Sequence, residues 1–158
     1  DLVIQPTAKD LIVATHGRSL YKTNIAALQK INDSILAKSV AIFKVKNITK
    51  SKRWGNSRSP WRAANTPQLE IPFYVNADKK ITIDVFSGKV KINSISIDAD
   101  KGYNKAIYNV SFSKKGLKAY KKVNKKVTIQ KADNESYYLP KGKYTHKIGD
   151  EKVSFNVE

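Results

Sequence analysis

The sequence predicts a mainly β chain of 158 residues that ends in a β-sandwich. Two observations support this fold class. Apolar residues make up 41% of the chain, which is enough for a folded core. Apolar and polar residues also alternate with period two over long stretches, most regularly between Ile81 and Ile97, as in half-buried strands. No apolar run approaches the roughly 18 residues that a membrane-spanning helix needs.

The first strands are short and rich in β-branched residues. Residues 2–4 and 11–15 flank the turn-forming stretch 6–10 and predict an antiparallel hairpin. Residues 16–19 then reverse the chain into a third strand over 20–23. A cap at Thr23 or Asn24 predicts a brief helical stretch that runs to about residue 37. Weak alternation between Ser39 and Val45 indicates one more strand.

The periodic pattern fails between residues 47 and 67. This stretch holds basic residues, two prolines and a glycine, together with both tryptophans, Trp54 and Trp61. Such a composition is typical of a long loop or linker. We expect both tryptophans to bury against a neighbouring element, because large aromatic side chains in loops usually do so.

Beyond residue 67 the chain is steadily β. Turn residues separate seven predicted strands, which cover residues 69–75, 81–86, 90–97, 106–112, 127–130, 144–148 and 153–157. Seven short strands with regular turns in about 90 residues predict an immunoglobulin-like or fibronectin-type sandwich.

Two groups of motifs resemble one family. The run 1–21, with Thr15-His16-Gly17-Arg18-Ser19 near its end, resembles the closing blade of large secreted bacterial β-propellers. These are the BNR-repeat, sortilin-like proteins that are often labelled glycosyl hydrolases. The features at 81–90, 102–110 and 139–145 resemble the immunoglobulin-like domain that follows those propellers. Tyr108 stands where the family has Trp, and the basic insert at 114–126 is not a family feature.

The resemblance implies a division of the chain into three parts. Residues 1–46 would be a last-blade propeller remnant with a short helical segment, 47–67 a linker and 68–158 the immunoglobulin-like sandwich. The partner of the remnant would be the rest of its own propeller, to which His16 and Arg18 would hydrogen-bond from their turn. Without the propeller, the remnant's apolar side chains would be covered either by packing against the sandwich, with Trp54 or Trp61 between them, or by self-association through residues 1–23. The protein would be secreted, periplasmic or on the bacterial cell surface.

The start of the chain fits a piece of a longer protein. The sequence has no methionine, and its first residues show no charged segment followed by an apolar one, so we expect no signal peptide in this fragment. It also has no cysteine, which excludes disulfides, thiolate catalysis and cysteine-based zinc sites.

The net charge of +17 raises the question of a polyanionic partner. Four of the 30 basic residues are arginines, and the other 26 are lysines, which lack the planar fork that favours bidentate recognition. The densest cluster spans 114–126. A solvated lysine-rich loop is the simpler interpretation of this cluster. The alternative is a polyanion- or carbohydrate-binding module that uses Lys121, Lys122, Lys125 and Lys126 with exposed Tyr120, Tyr137 and Tyr138.

No motif predicts catalysis, a cofactor or a metal site. The propeller families' Asp-box is absent, and Asp1, Asp10 and Asp33 are the only acidic residues before residue 70. His16 lacks the Gly-x-Ser-x-Gly setting of a nucleophile elbow. Residues 98–104 do not match the ligand pattern of a calcium loop, so we expect a solvated turn there. His146 is expected to be at the surface or half-buried. The leading hypothesis is therefore a non-catalytic accessory region, and an enzyme is the last of the three classes.

Overall fold

The computed structural model describes residues 1–17, 19–57, 59 and 61–158. Contacts between residues divide the chain into two compact units, Asp1–Lys38 and Ser39–Glu158. Strands form three antiparallel sheets, one in the first unit and two in the second. The prediction of a mainly β chain is confirmed.

The first unit is a three-stranded meander followed by short helices. Its strands are β1 (Leu2–Gln5), β2 (Asp10–Ala14) and β3 (Leu20–Asn24), paired in the order β1-β2-β3. A single 3₁₀ turn at Leu28–Lys30 and the helix α1 (Asp33–Leu36) follow. The predicted hairpin and third strand are thus confirmed, and the helical stretch is present as two short pieces. The predicted cap at Thr23 or Asn24 is wrong, because both residues lie in β3 and no side chain caps the 3₁₀ turn. Asn32 caps α1, because its Oδ1 accepts a hydrogen bond from the Ile35 backbone N–H at 3.1 Å.

The second unit contains the remaining strands and the helix α2 (Lys114–Val123). The strands are β4 (Val40–Ile42), β5 (Leu69–Val75), β6 (Lys79–Ser87), β7 (Val90–Ala99), β8 (Gly102–Tyr108), β9 (Gly142–Ile148) and β10 (Glu151–Val157). One sheet has the order β10-β9-β6-β7 and the other has the order β4-β5-β8. Because β4 pairs with β5, residues 40–42 belong with the second unit.

The two sheets of the second unit share one hydrophobic core. Inward side chains of β5, β6, β9 and β10 alternate with exposed ones, as the period-two pattern of the sequence requires. The largest fully buried side chains include Phe73, Tyr108, Tyr144 and Phe155. These large aromatic rings pack in the core that the two sheets share.

The connection from β8 to β9 crosses from one sheet to the other and carries α2. Val110 has a positive φ of 53°, which ends the strand pattern two residues after Tyr108. The chain then pairs residues 110–112 with 137–139 through the backbone bonds Phe112 N–H to Tyr137 O and Leu139 N–H to Val110 O. The strand predicted at 127–130 is wrong. In that stretch only Ile129 is half-buried and the other residues are exposed, and residues 110–112 pair with 137–139 instead.

The stretch 47–67 is anchored to the second unit. Ile48 bridges to Val157 of β10, and Trp54 is buried against Tyr138 with ring centroids 5.8 Å apart. The expectation that Trp54 buries is confirmed. The same expectation is wrong for Trp61, whose side chain is 93% exposed.

Candidate functional site

The basic cluster at 114–126 begins as the helix α2. Ser113 caps it: the Ser113 hydroxyl accepts from the Gly116 N–H at 3.0 Å and donates to Ile92 O at 3.2 Å. Gly116 lies against the backbone of β7, where an added Cβ would fall 1.8 Å from Ile92 O. The helix therefore needs glycine at this position to approach β7, which is the last strand of its sheet.

Buried and charged side chains occupy opposite sides of α2. Gly116, Leu117 and Tyr120 are buried. At 3.6 residues per turn, the five lysines of the helix fall within an arc of about 120° on the other side. All are exposed, as are the two lysines of the following turn. We call this set the lysine face; it consists of Lys114, Lys115, Lys118, Lys121, Lys122, Lys125 and Lys126.

Three tyrosines were predicted to be exposed beside these lysines, and two of them are not. Tyr120 and Tyr138 are buried in the core, so the prediction that they are exposed is wrong. Tyr120 packs on Phe112 with ring centroids 5.0 Å apart, because it lies on the apolar side of α2. Tyr137 is half-exposed, and the Lys121 Nζ lies 5.8 Å from its ring centroid. One tyrosine of the three thus adjoins the lysine face.

An acidic neighbour of the lysine face is already paired. Glu135 accepts a hydrogen bond from Lys131 Nζ at 2.9 Å. This hydrogen bond and the charge of Lys131 lower the pKa of the Glu135 carboxyl, and the charge of Lys114 lowers it further. The carboxylate is therefore ionised at neutral pH and offsets only a small part of the lysine charge.

The turn between β2 and β3 holds the other predicted contact residues. His16 is exposed in this turn. Thr15 and Ser19 close it, since the Thr15 N–H donates to Ser19 O at 3.0 Å. Arg18 lies outside the described residues.

Two acidic residues of the second unit, Asp84 and Asp100, take part in local hydrogen bonds. Asp84 is held by Lys91 Nζ at 2.6 Å and by the Ser94 hydroxyl at 2.7 Å. Partial burial opposes ionisation of Asp84, but these hydrogen bonds and the nearby lysine charges outweigh it and lower its pKa. Asp100 lies in the turn from β7 to β8, where its carbonyl accepts from Asn104 Nδ2 at 2.6 Å. Within the described ranges, no three His, Asp or Glu side chains come together as metal ligands would.

His146 lies in the core and not at the surface, so that prediction is wrong. It is fully buried, because it follows Tyr144 by two residues on β9 and therefore points to the same inner face. Its ring stacks on Phe155 at 4.4 Å and meets Tyr108 edge-on at 5.6 Å. Neither ring nitrogen has a hydrogen-bond partner among the described residues, and burial lowers the pKa of His146 to about 3.

The sheet of the first unit exposes apolar side chains on both of its faces. Ile4 pairs with Leu11, and Val13 pairs with Tyr21 on the same face. Val3 is directed to the opposite face, as is Leu20, which is 72% exposed. An antiparallel sheet that has one solvated face normally carries polar residues there. The face of Val3 and Leu20 is mixed, because it also carries Asp10 and Lys22, which form an ion pair at 2.7 Å.

Sequence reasoning missed a cleft in the stretch 53–65. Two arginines line it, Arg53 and Arg62, and its volume is about 380 Å³. The signal was in the composition: three of the four arginines of the chain, Arg53, Arg58 and Arg62, fall within ten residues. Arg58 itself lies outside the described residues.

Comparison with known proteins adds no relative to this description. No family model, no curated protein and no solved structure matches the chain. Among the helices in the described part of the chain, none is long and apolar enough to span a membrane.

Proposed function

We propose that this chain is a non-catalytic C-terminal accessory region of a secreted, β-propeller protein of the BNR-repeat, sortilin-like type. The first unit would contribute strands to the last blade, and the second would be an immunoglobulin-like domain with a structural or interaction role. One observation carries the proposal: the sheet β1-β2-β3 presents apolar side chains on both faces.

The strands of a propeller blade explain this pattern. Blades pack face to face around the propeller axis, so each inner sheet is covered on both sides and its edges are short or protected. The strand β1 contains Leu2-Val3-Ile4, all exposed, with no charge or proline that would prevent further pairing. Neighbouring blades would remove all of this surface from water.

The strand order of the second unit supports the immunoglobulin-like assignment. If β4 to β10 are lettered A, B, C, C′, E, F and G, one sheet is A-B-E and the other is G-F-C-C′. The Tyr144 hydroxyl near the start of β9 donates to Pro140 O at 2.8 Å. A tyrosine at the start of strand F that bonds back to the backbone a few residues upstream is typical of this class of sandwich.

The coding sequence immediately upstream of Asp1 tests the propeller assignment. The proposal predicts an open reading frame that continues upstream with several four-stranded β repeats and begins with an export signal. A start codon directly before Asp1, or an upstream region rich in helices, would overturn it.

Activity measurements test the non-catalytic part of the proposal. The chain should release no reducing sugar from neutral or acidic polysaccharides and should cleave no peptide or ester, since its sequence contains no motif that predicts an acid–base pair or a nucleophile. Hydrolysis that disappears in the variants Asp98→Asn or His16→Ala would contradict this reading.

The lysine face favours a second candidate function, the binding of a polyanion. Seven exposed lysines on one helix and its following turn form a dense patch of positive charge. Lysines of this kind bind phosphate- or sulfate-bearing polymers mainly by counterion release, without reading a sequence. Such binding should be weak and steeply dependent on salt.

A charge-neutral variant of the lysine face tests the second candidate. Replacing Lys121, Lys122, Lys125 and Lys126 by Gln should abolish retention on heparin at low salt. The matched control replaces four exposed lysines elsewhere, Lys9, Lys38, Lys89 and Lys141, and should retain most of it. Equal loss in both variants would show that net charge alone is responsible, and would remove the case for this face.

A further inference from the structure

The cleft at residues 53–65 is a closed loop with a fixed base. The Gly55 N–H donates to Asn65 O at 2.8 Å, and the Asn65 N–H donates to Asn56 O at 3.0 Å, so the two ends of the loop are joined. Inside the loop the Ser57 hydroxyl donates to Arg62 O at 2.6 Å. Compact loops whose ends meet in this way are frequently functional.

The base of this loop is packed against the second unit. Gly55 has φ +79° and lies so close to Ala132, Asn134 and Tyr138 that an added Cβ would clash with all three. The Asn134 N–H also donates to Gly55 O at 3.0 Å. These contacts hold the base of the loop in place, and binding sites are more precise when their supporting residues are held in this way.

Among the residues that the structure describes, no acidic side chain lines the cleft. Its lining consists of Arg53, Asn56, Ser57, Arg62, Ala63 and Asn65. No acidic residue occurs anywhere between residues 47 and 67. Neither Arg53 nor Arg62 has an ion-pair partner in the described part of the chain. Two unpaired guanidinium groups in one concave site favour a bound anion.

The use of arginine is itself informative in this chain. Lysine supplies 26 of the 30 basic residues, yet the cleft is lined by arginine alone among basic residues. Arginine differs from lysine by a rigid planar fork that makes two parallel hydrogen bonds to a carboxylate or sulfate. A surface that merely keeps the protein soluble would use lysine here, as the rest of the chain does.

Two further features point to a sugar as the carrier of the anion. The cleft volume of about 380 Å³ lies within the range of small-ligand sites and suits one or two sugar rings. The Asn56 and Asn65 amides offer both donors and acceptors, as sugar hydroxyls require. Trp61 is 93% exposed and directly precedes Arg62, so the same loop also offers an exposed aromatic side chain.

We propose that the cleft between Arg53 and Arg62 binds an acidic oligosaccharide, with the two guanidinium groups on its carboxylate or sulfate. Asn56 and Asn65 hydrogen-bond the hydroxyls of the same ring, and Trp61 packs on the neighbouring ring. A single-stranded nucleic acid would need a basic groove and several stacking aromatics along its length. Among the described residues of the loop, Trp61 is the one exposed aromatic side chain. This site is separate from the lysine face and does not depend on the propeller assignment.

Titration with matched ligands tests the proposal. The probes are an oligogalacturonate, its methyl ester, a sulfated oligosaccharide and a single-stranded oligonucleotide, measured by calorimetry at physiological salt. We expect the methyl ester to bind at least about tenfold more weakly than the free acid, because it lacks the anion that arginine recognises. Comparison of the carboxylated with the sulfated probe identifies the anionic group. Failure of both acidic probes to bind, equal affinity for the ester, or preference for the oligonucleotide would overturn the proposal.

Variants locate the site on the protein. Arg62→Lys keeps the charge and loses the fork, and should weaken binding of the acidic probe about tenfold; Arg53→Gln with Arg62→Gln should abolish it. The matched control, Lys121→Gln with Lys122→Gln, removes the same charge from α2 and should bind normally. Trp61→Phe should remove the change in tryptophan emission on binding, while buried Trp54 reports that the fold is intact. Equal losses in the arginine variants and the control would contradict the proposal.

Discussion

At the scale of single residues, the buried His146 is the least expected feature. A neutral imidazole stacks on Phe155 as an aromatic ring, and neither nitrogen has a hydrogen-bond partner among the described residues. Sequence patterning could have placed it inside, since Tyr144, His146 and Ile148 alternate on β9. A histidine is nevertheless not expected at a buried position, because a polar group without a hydrogen-bond partner is costly inside a protein.

The burial of His146 makes stability depend on pH. Its folded-state pKa of about 3 lies below the ordinary value of 6.5, so the unfolded chain binds the proton more readily. The contribution of His146 to the free energy of unfolding therefore has its full value above pH 6.5. It falls by about 1.4 kcal/mol per pH unit as the pH decreases from 6.5 toward 3. We expect the free energy of unfolding in urea to fall by about 2 kcal/mol between pH 7.5 and 5.

The variant His146→Phe is the control for this prediction. It keeps an aromatic ring in the stack and has no proton to bind, so its unfolding free energy should change little over the same range. Asp84 does not interfere, because its pKa lies below its ordinary value of 3.8 and it stays ionised at pH 5. An equally steep loss of stability in the variant would show that other groups cause it.

The hydroxyl of Tyr144 also contributes to the stability of the fold. Burial raises the pKa of Tyr144, and the hydroxyl donates to Pro140 O at 2.8 Å. Tyr144→Phe should lower the free energy of unfolding by about 1 kcal/mol, the usual net contribution of such a bond. Tyr137→Phe should leave it nearly unchanged, since no hydrogen bond of that hydroxyl is present among the described residues. Similar values for the two variants in denaturant titrations would argue against a structural role for the Tyr144 bond.

At the scale of elements, the helix α2 shows how tertiary packing decides local structure. Its lysines at i and i+4, such as Lys114 with Lys118, repel one another and lower the stability of an isolated helix. The Ser113 cap and the burial of Leu117 and Tyr120 compensate. The sequence left a lysine-rich loop and a basic stripe open as alternatives, since the contact between Gly116 and β7 is not visible in a pattern of charges.

Gly116→Ala tests this contact. In an exposed helix the change would stabilise by up to about 1 kcal/mol, because alanine is the better helix former. Here the new methyl group meets Ile92 O, so we expect a loss of about 1–3 kcal/mol in unfolding free energy. Lys115→Ala, at the adjacent exposed position, should be neutral or stabilising. A stabilised Gly116→Ala protein would mean that α2 does not lie against β7.

At the scale of the whole molecule, the sequence predicted strands better than boundaries. Strands with strict alternation, such as β6 and β7, were found because their apolar residues repeat every second position. Residues 39–67 were harder to interpret, because Val45 and Trp54 are buried by an irregular backbone that has no period. The cleft at Arg53 and Arg62 was missed for the same reason, since its residues meet only when the loop closes.

Truncation tests where the second unit begins. The fragment 39–158 retains every member of the buried cluster and should unfold cooperatively with the midpoint of the intact chain. The fragment 68–158 lacks β4, Val45 and Trp54, and should be less stable by about 3 kcal/mol or more. Equal stability of the two fragments in thermal scans would place the start of the domain at residue 68.

Hydrogen exchange on the intact chain tests the central claim most directly, namely that the first unit is an incomplete part of a larger sheet assembly. If neighbouring blades normally cover the sheet β1-β2-β3, this sheet is incomplete in the isolated chain. Its amides should then exchange on the order of a hundredfold faster than the amides of β5, β6 and β9. Exchange rates would be followed by mass spectrometry on peptides from each strand. Equal protection of the two units, lost together in one cooperative transition, would contradict the account.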